Sequence, residues 1–358
     1  MALAANRRNF TPPRRIRQME DELRLLPLVW TDADDEQVGV WGWNLAVREQ
    51  LARRGVSRSV MPGDDELALW RTMSHRAFAV SLMNDFQNEC GKTDDGWVGD
   101  EMCFVKRLDD VPLAADEMII VKQPFSSSGR GNLVGRLADA AFAEKVGVLM
   151  QRHDGLLVDR YYQKVLDSAL EFHLSREGEV VFLGHSVFET SQQGRYGGNV
   201  VASQQELRQR IAAAWGHSVE DVNKVGERWA QLLSKRLAGR YYGPLGIDLM
   251  VVEDKGKRKV HPCVEVNLRM NMGIAALRLY ERLQLLSRMV ADGATYNSCV
   301  QNGHLRFLSF LPEADFSRFH FDDLNSLLRS SMRLPLSPMR DCGFQAFLES
   351  GRLCIDFS

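Results

Sequence analysis

Residues 241–273 read YYGPLGIDLMVVEDKGKRKVHPCVEVNLRMNMG, and the fold turns on how this stretch is arranged. Residues 245–252 and 259–268 are strand-like, and Asp254-Lys255-Gly256-Lys257 between them is a turn sequence, so the stretch reads as a β-hairpin. In its second strand Val260, Pro262, Val264, Val266 and Leu268 alternate with Cys263, Glu265, Asn267 and Arg269. Strand side chains alternate between two faces, which puts Glu265, Asn267 and Arg269 together. A turn centred between Gly256 and Lys257 sets Asp248 of the first strand directly opposite Glu265. Two carboxylates facing each other across a ladder repel, and a divalent cation is the natural compensation. An all-oxygen set of Asp, Glu and Asn suits Mg2+ or Mn2+, hard ions that keep water and share phosphate oxygens. The other reading is an exposed polar face whose carboxylates pair with Lys255, Lys257 or Arg258. Arg269 fits either a phosphate, through its planar fork, or a simple partnership with Glu265.

Upstream, residues 118–131 read MIIVKQPFSSSGRG. A short apolar strand ends in Lys122, and Ser126, Ser127, Ser128, Gly129, Arg130 and Gly131 follow. Small hydroxyl residues and glycine let backbone N–H groups close around an anion, and the lysine adds a point charge. The spacing is not that of a P-loop. Taken alone, the segment reads equally as a surface turn after an edge strand.

Helical periodicity is visible at 44–54, 64–89, 137–152, 203–215, 218–238 and 274–292. Strand patterns occur at 117–122, 155–162, 169–175, 179–188, 245–252, 259–268 and 305–310. The interleaving predicts an α/β chain, with α+β character in the C-terminal half where strands come as hairpins. Three lobes are expected: an N-terminal α/β lobe over 1–100, a small central lobe over 101–164 and a C-terminal lobe over 165–358. The Phe-rich tail beyond 304 is expected to pack on the last lobe.

Composition narrows the partners. With 45 Lys+Arg against 47 Asp+Glu the formal charge is −2, which argues against nucleic acid or an anionic membrane as the main ligand. Six cysteines without a CxxC pair fit reduced thiols and a cytoplasmic location. No apolar run reaches the roughly 20 residues that span a bilayer. The first nineteen residues hold five arginines and no acid, but Pro12-Pro13 and the lack of an amphipathic period favour a domain edge over a transit peptide.

Taken together and in this order, the Lys122 strand, the Ser/Gly loop and Asp248…Glu265-x-Asn267 resemble the ATP-grasp superfamily over about 117–275. The resemblance implies ATP held between two lobes, with VKQPFSSSGRG as the phosphate strand and loop. It implies Asp248, Glu265 and Asn267 as ligands of Mg2+ (or Mn2+). Residues 156–162 fall where such enzymes place the adenine hinge, so Asp159, Arg160 and Tyr161 are the adenine-proximal candidates. Glu171 resembles the carboxylate that holds the ribose hydroxyls. The second nucleotide lysine has no counterpart: Arg76, in SHRAFAV, stands in its region, with Lys106 as the rival. A closer likeness is to stand-alone ATP-grasp proteins bearing an SHR helix, a VKxPxSSSGRG loop and an NLRMxMG strand end. That group begins one strand earlier than MALAANRRNFTPP does here.

Residues 184–201, GHSVFETSQQGRYGGNVV, are polar and glycine-rich, a composition suited to a loop that closes over a reaction centre. Arg195 could grip a substrate carboxylate or acyl phosphate, with Tyr196 and Asn199 orienting it. A mere connection is the other reading. His185 and His75 read as structural histidines, and Trp41 and Trp43 as packing residues. The resemblance implies an ADP-forming carboxylate–amine ligase whose partners are a small carboxylic acid and an amine, with a homodimer possible. Lys122, Arg269 and Arg195 would stabilise phosphoryl transfer. A phosphotransferase acting on a hydroxyl and an ATP-binding regulator without turnover are the alternatives.

Overall fold

The computed structural model describes residues 2–29, 40–90, 96–126, 131–190, 196–301, 303–311, 313–337 and 344–357. Among the described residues twelve strands form two antiparallel sheets. The smaller sheet contains β1 (Cys103–Val105), β2 (Ile119–Lys122), β3 (Leu133–Gly135) and β4 (Leu156–Arg160), in the order β1-β4-β2-β3. The helix Ala140–Met150, capped by the Asp139 carboxylate, covers it. Phe142 and Val146 of that helix pack on Ile119, Val121, Leu156 and Val158.

The larger sheet holds β5 (Gln163–Leu174), β6 (Val180–Thr190), β7 (Tyr196–Val200), β8 (Gly243–Asp254) and β9 (Lys257–Asn267). Three late strands, β10 (Leu334–Pro335), β11 (Phe344–Glu349) and β12 (Arg352–Phe357), extend it to the order β10-β11-β12-β7-β6-β5-β8-β9. Leu170, Ile247, Leu249 and Val251 on one face bury against the helices Gln204–Trp215 and Val219–Leu237. Both helices start at serine caps, Ser203 and Ser218. The opposite face carries Asp248 and Glu265, because residues paired across a sheet share a face.

The hairpin differs from the simplest reading in an instructive way. Its turn lies at Lys255-Gly256, both with positive φ (51° and 75°), and Asp254 pairs with Lys257. That is one residue earlier than expected and by itself would misalign Asp248 and Glu265. A bulge restores the match: Met250 pairs with His261, but Asp248 pairs with Glu265, so β9 carries two additional residues around Pro262. Proline has no N–H to donate to a ladder and is accommodated where the ladder is interrupted.

Three other expectations are corrected. The helical run at 64–89 is two helices, Asp64–Met73 and Arg76–Cys90. The Ser74 hydroxyl donates back to Trp70 O (2.8 Å), and His75 Nδ1 accepts from Ala77 N, which ends one helix and starts the next. Residues 305–310 are a 3₁₀ segment, Gly303–Phe310, with Leu305, Phe307 and Leu308 buried; a short apolar run does not distinguish strand from buried helix. The described part of residues 1–100 contains helices and no strand of its own. Its extended segment at 96–98 instead joins β9, through the Trp97–Val260 bridge.

Trp229 is fully buried and stacks on Phe86 at 4.9 Å, joining the helix Val219–Leu237 to the N-terminal helix Arg76–Cys90. Trp229→Ala should cost about 3–5 kcal/mol through lost burial and an unfilled cavity. Denaturant unfolding should show the midpoint falling with the slope unchanged.

Candidate functional site

The row Ala169–Asp248–Glu265 runs across β5, β8 and β9, and the next row is Glu171–Gly246–Asn267. Asp248 and Glu265 are both half-buried. Burial, then the Glu265 charge, then Glu171 hold the Asp248 carboxyl well above its usual range, against the pull of Arg269. A carboxylate so destabilised is what a cation would relieve. Asn267 Nδ2 donates to Asp248 Oδ2 (3.3 Å), and Arg269 donates to Asn267 Oδ1 (2.8 Å) and Met270 O (3.1 Å). Arg269 therefore braces the amide rather than serving Glu265 alone. Arg258 pairs with Glu253 at the hairpin tip (3.4 Å), which leaves no role for it as a partner of this carboxylate pair. Among the described residues no three His, Cys, Asp or Glu side chains form a group that could by itself hold a metal ion. Two carboxylates and an amide match a hard ion that retains water and phosphate oxygens.

The small sheet brings the positive charge. Lys122, at the end of β2, is buried, and its Nζ donates to Val264 O of β9 (3.4 Å). Burial first and Arg76 second lower its pKa, opposed by Asp159, Glu265 and Asp248. Arg76 is the first residue of its helix. Its guanidinium pairs with Glu265 (3.0 Å) and donates to Gln123 O (2.6 Å) and Ser126 Oγ (2.8 Å), while its Nε is buried without a partner. Arg76 thus ties the start of the Ser/Gly loop to the expected metal carboxylate, whereas Lys106 is exposed. Gly131 closes the loop with positive φ (76°). Ser127, Ser128, Gly129 and Arg130 lie outside the described residues, as does Arg195.

Glu171, expected near the ribose, lies beyond Asp248 on the same sheet face. Along β5, counting away from β4, Asp167 comes first, then Ala169 opposite Asp248, then Glu171. Glu171 is 1% exposed, accepting from Ser186 Oγ (2.8 Å) and Asn271 Nδ2 (2.7 Å). Gly246 and Gly273 have no side chains because this carboxyl group and Asn271 fill the space a Cβ would take. Desolvation raises its pKa to about 7, against the help of its two donors and Arg269. Asp167, which the sequence reading passed over, occupies the β4 side of Asp248 on the same face. It accepts from Lys164 (2.7 Å) and Thr190 Oγ1 (2.6 Å). Its period-two offset from Ala169 and Glu171 was the available signal.

At the β4–β5 connection Asp159 is buried, and its carboxylate accepts from His261 (2.9 Å) and Arg160 N (2.8 Å). Arg160 is held by Glu101 (2.8 Å) and Glu117 (3.0 Å), and Tyr161 is exposed with its N–H donated to Met118 O. Tyr196 OH donates to Asn199 Oδ1 (2.7 Å), so these two bond each other. His185 lies on the helix-covered face, away from Asp248; burial lowers its pKa to about 4. His75 sits edge-on to Phe104 and Phe125. Trp43 packs on the core, and Trp41 is exposed with its carbonyl accepting from Met270 N.

Two antiparallel sheets that meet through Lys122 and Val264, with an Asp…Glu-x-Asn hairpin on the larger, are the arrangement that the resemblance to the ATP-grasp superfamily implies. No protein-family model matches the chain. No curated protein matches it in sequence. Among solved structures it is similar to N5-carboxyaminoimidazole synthetase from Staphylococcus aureus complexed with ADP (11% identity, 58% of this chain and 52% of that one, TM-score 0.39). It is also similar to biotin carboxylase from Campylobacter jejuni in its β-γ-ATP complex (14% identity, 66% and 50%, TM-score 0.44). A third is L-amino acid ligase from Bacillus licheniformis (14% identity, 64% and 48%, TM-score 0.39). The match spans about half the length of these chains, and the likeness is one of fold outline. No helix among the described residues is long and apolar enough to cross a membrane.

The Glu171 carboxyl sets a pH dependence of stability. Its folded pKa, about 7, lies above its ordinary 4.5, so between these values the folded chain holds more protons than the unfolded one. This contribution is present at low pH and lost as pH rises through about 7. Glu171→Gln removes the charge and keeps both partners, its Oε1 accepting from Asn271 Nδ2 and its Nε2 donating to Ser186 Oγ. It should gain on the order of 2–3 kcal/mol at pH 8 and flatten the stability profile between about pH 5 and 8.

Proposed function

We propose that the chain is an ATP- and Mg2+-dependent carboxylate–amine ligase that works through an acyl phosphate. The observation that carries this reading is Asp248 facing Glu265, with Asn267 beside them and Lys122 and Arg76 brought from the small sheet. Asp248, Glu265 and Asn267 would hold Mg2+, which offsets phosphate charge when bound. Lys122, Arg76 and the Ser126–Gly131 loop would hold the triphosphate of ATP. The β4–β5 connection would meet its adenine.

The ribose lies between base and phosphates, so a carboxylate serving it belongs between the hinge and Asp248. Asp167 would serve it, since it lies between the β4–β5 connection and the Asp248 row, whereas Glu171 lies beyond that row. Glu171 instead steadies Asn271, which caps the helix following Arg269.

A substrate carboxylate attacks the γ-phosphorus and releases ADP. An amine then attacks the acyl carbon, the amide forms and phosphate leaves. Lys122 and Arg269 offset charge spreading over the transferred group, and Arg195 would steady the acyl phosphate. Catalysis here is positioning and electrostatics, with no protein nucleophile.

ADP release across a panel of carboxylic acids and amines tests the reading. Hydroxylamine in place of the amine should trap hydroxamate; ADP without hydroxamate identifies a kinase, and nucleotide binding without ADP a regulator. Asp248→Asn and Glu265→Gln should each lower kcat by about 100-fold or more. Asp167→Asn should raise the KM for ATP by about tenfold, as loss of a charged hydrogen bond does, with kcat little changed.

A further inference from the structure

His261 belongs to the large sheet, yet its ring reaches the strand end of the small one. It is fully buried and contacts Asp159 Oδ2 through Nε2 at 2.9 Å. Its other nitrogen, Nδ1, accepts from Cys263 N (3.3 Å), an N–H set free by the β9 bulge. An imidazole nitrogen that accepts carries no proton, so in the neutral ring the hydrogen sits on Nε2 and is donated to Asp159. The second Asp159 oxygen accepts from Arg160 N (2.8 Å), the last backbone N–H of β4 before the connection to β5.

A third segment closes the junction. Gly99 lies against the imidazole so closely that a Cβ there would meet Nε2 at 2.5 Å, and Gly99 N donates to Tyr162 OH (3.2 Å). Residues 96–98 are bonded to Val260, next to His261. The entry to the small sheet, its exit at Asp159–Tyr162 and β9 all converge on one ring.

We propose that His261 is a positioning residue for the nucleotide base: through Asp159 it fixes the path of residues 160–162, the connection that would meet adenine. The inference rests on the nucleotide site proposed above. A bulge that merely accommodated Pro262 would not need a buried imidazole donating across two sheets. The ring's own hydrogen bonds run to Asp159 and Cys263 N rather than to Lys122, Arg76 or the carboxylate row, so the effect is expected at the base end.

The test uses the full-length protein with His261 unchanged, His261→Gln, His261→Asn and His261→Leu. Glutamine can place an N–H where Nε2 stands; asparagine and leucine cannot. His261→Leu and His261→Asn should weaken ADP binding by calorimetry about tenfold, the loss expected for a buried hydrogen bond to a charged group. The KM for ATP should rise in parallel, with kcat at saturation within about threefold, as for an interaction made equally in ground and transition states. His261→Gln should restore ADP affinity to near that of the unaltered protein. Inorganic tripolyphosphate with Mg2+ should bind all four alike. Should His261→Leu fail to fold, the Gln and Asn pair decides.

Equal ADP affinity in His261→Gln and His261→Asn overturns the proposal. So does a loss of tripolyphosphate binding that matches the loss of ADP binding, which would mark a general collapse of the site. Failure of the unaltered protein to bind ADP at all overturns the nucleotide-site reading itself, and this inference with it.

Discussion

The structure depends on a repulsion. Asp248 and Glu265 stand opposite each other on adjacent strands, and nothing about sheet packing requires them there. The surrounding residues distribute the cost. Asn267 donates to Asp248, Arg269 holds Asn267, and Arg76 takes Glu265. Lys122 enters from the other sheet with its own charge disfavoured by burial and by Arg76. Each group is stabilised by a neighbour of opposite sign and unsettled by one of its own, an arrangement that would suit an added cation and an added polyanion together. A formal charge of −2 for the whole chain conceals this local alternation.

Much of this was legible before any coordinates. The hairpin, the shared face of Glu265, Asn267 and Arg269, and the lysine at the end of β2 follow from period-two alternation and turn chemistry. The Asp248–Glu265 pairing was also foreseen, though from a turn centre one residue away; a bulge at Pro262 made up the difference. Bulges are set by where a ladder fails, which alternation alone does not reveal. Arg76 could be singled out as a cation, but its grip on Glu265 depends on a helix break at Ser74-His75 that periodicity reads straight through.

The less legible residues are those whose meaning is positional. Glu171 and Asp167 are four residues apart on one strand face, and only the register against Asp248 separates their surroundings. Glu171 is enclosed with Ser186 and Asn271; Asp167 meets Lys164 and Thr190. His261 drew no notice in the sequence, where it reads as one more residue of an amphipathic strand. Its partner Asp159 is 102 residues away, and no local pattern carries a contact of that range.

The late strands have a consequence of their own. β12 joins β7 through the pairs Arg352–Val200 and Leu353–Asn199, and β11 and the two-residue β10 follow outward. The sheet therefore terminates in a very short strand instead of in β7, whose Val200 and Asn199 would otherwise offer open backbone groups to a neighbouring molecule. The phenylalanine-rich tail so forms the selvedge of this sheet, and an edge strand this short offers little backbone for strands of other copies to join.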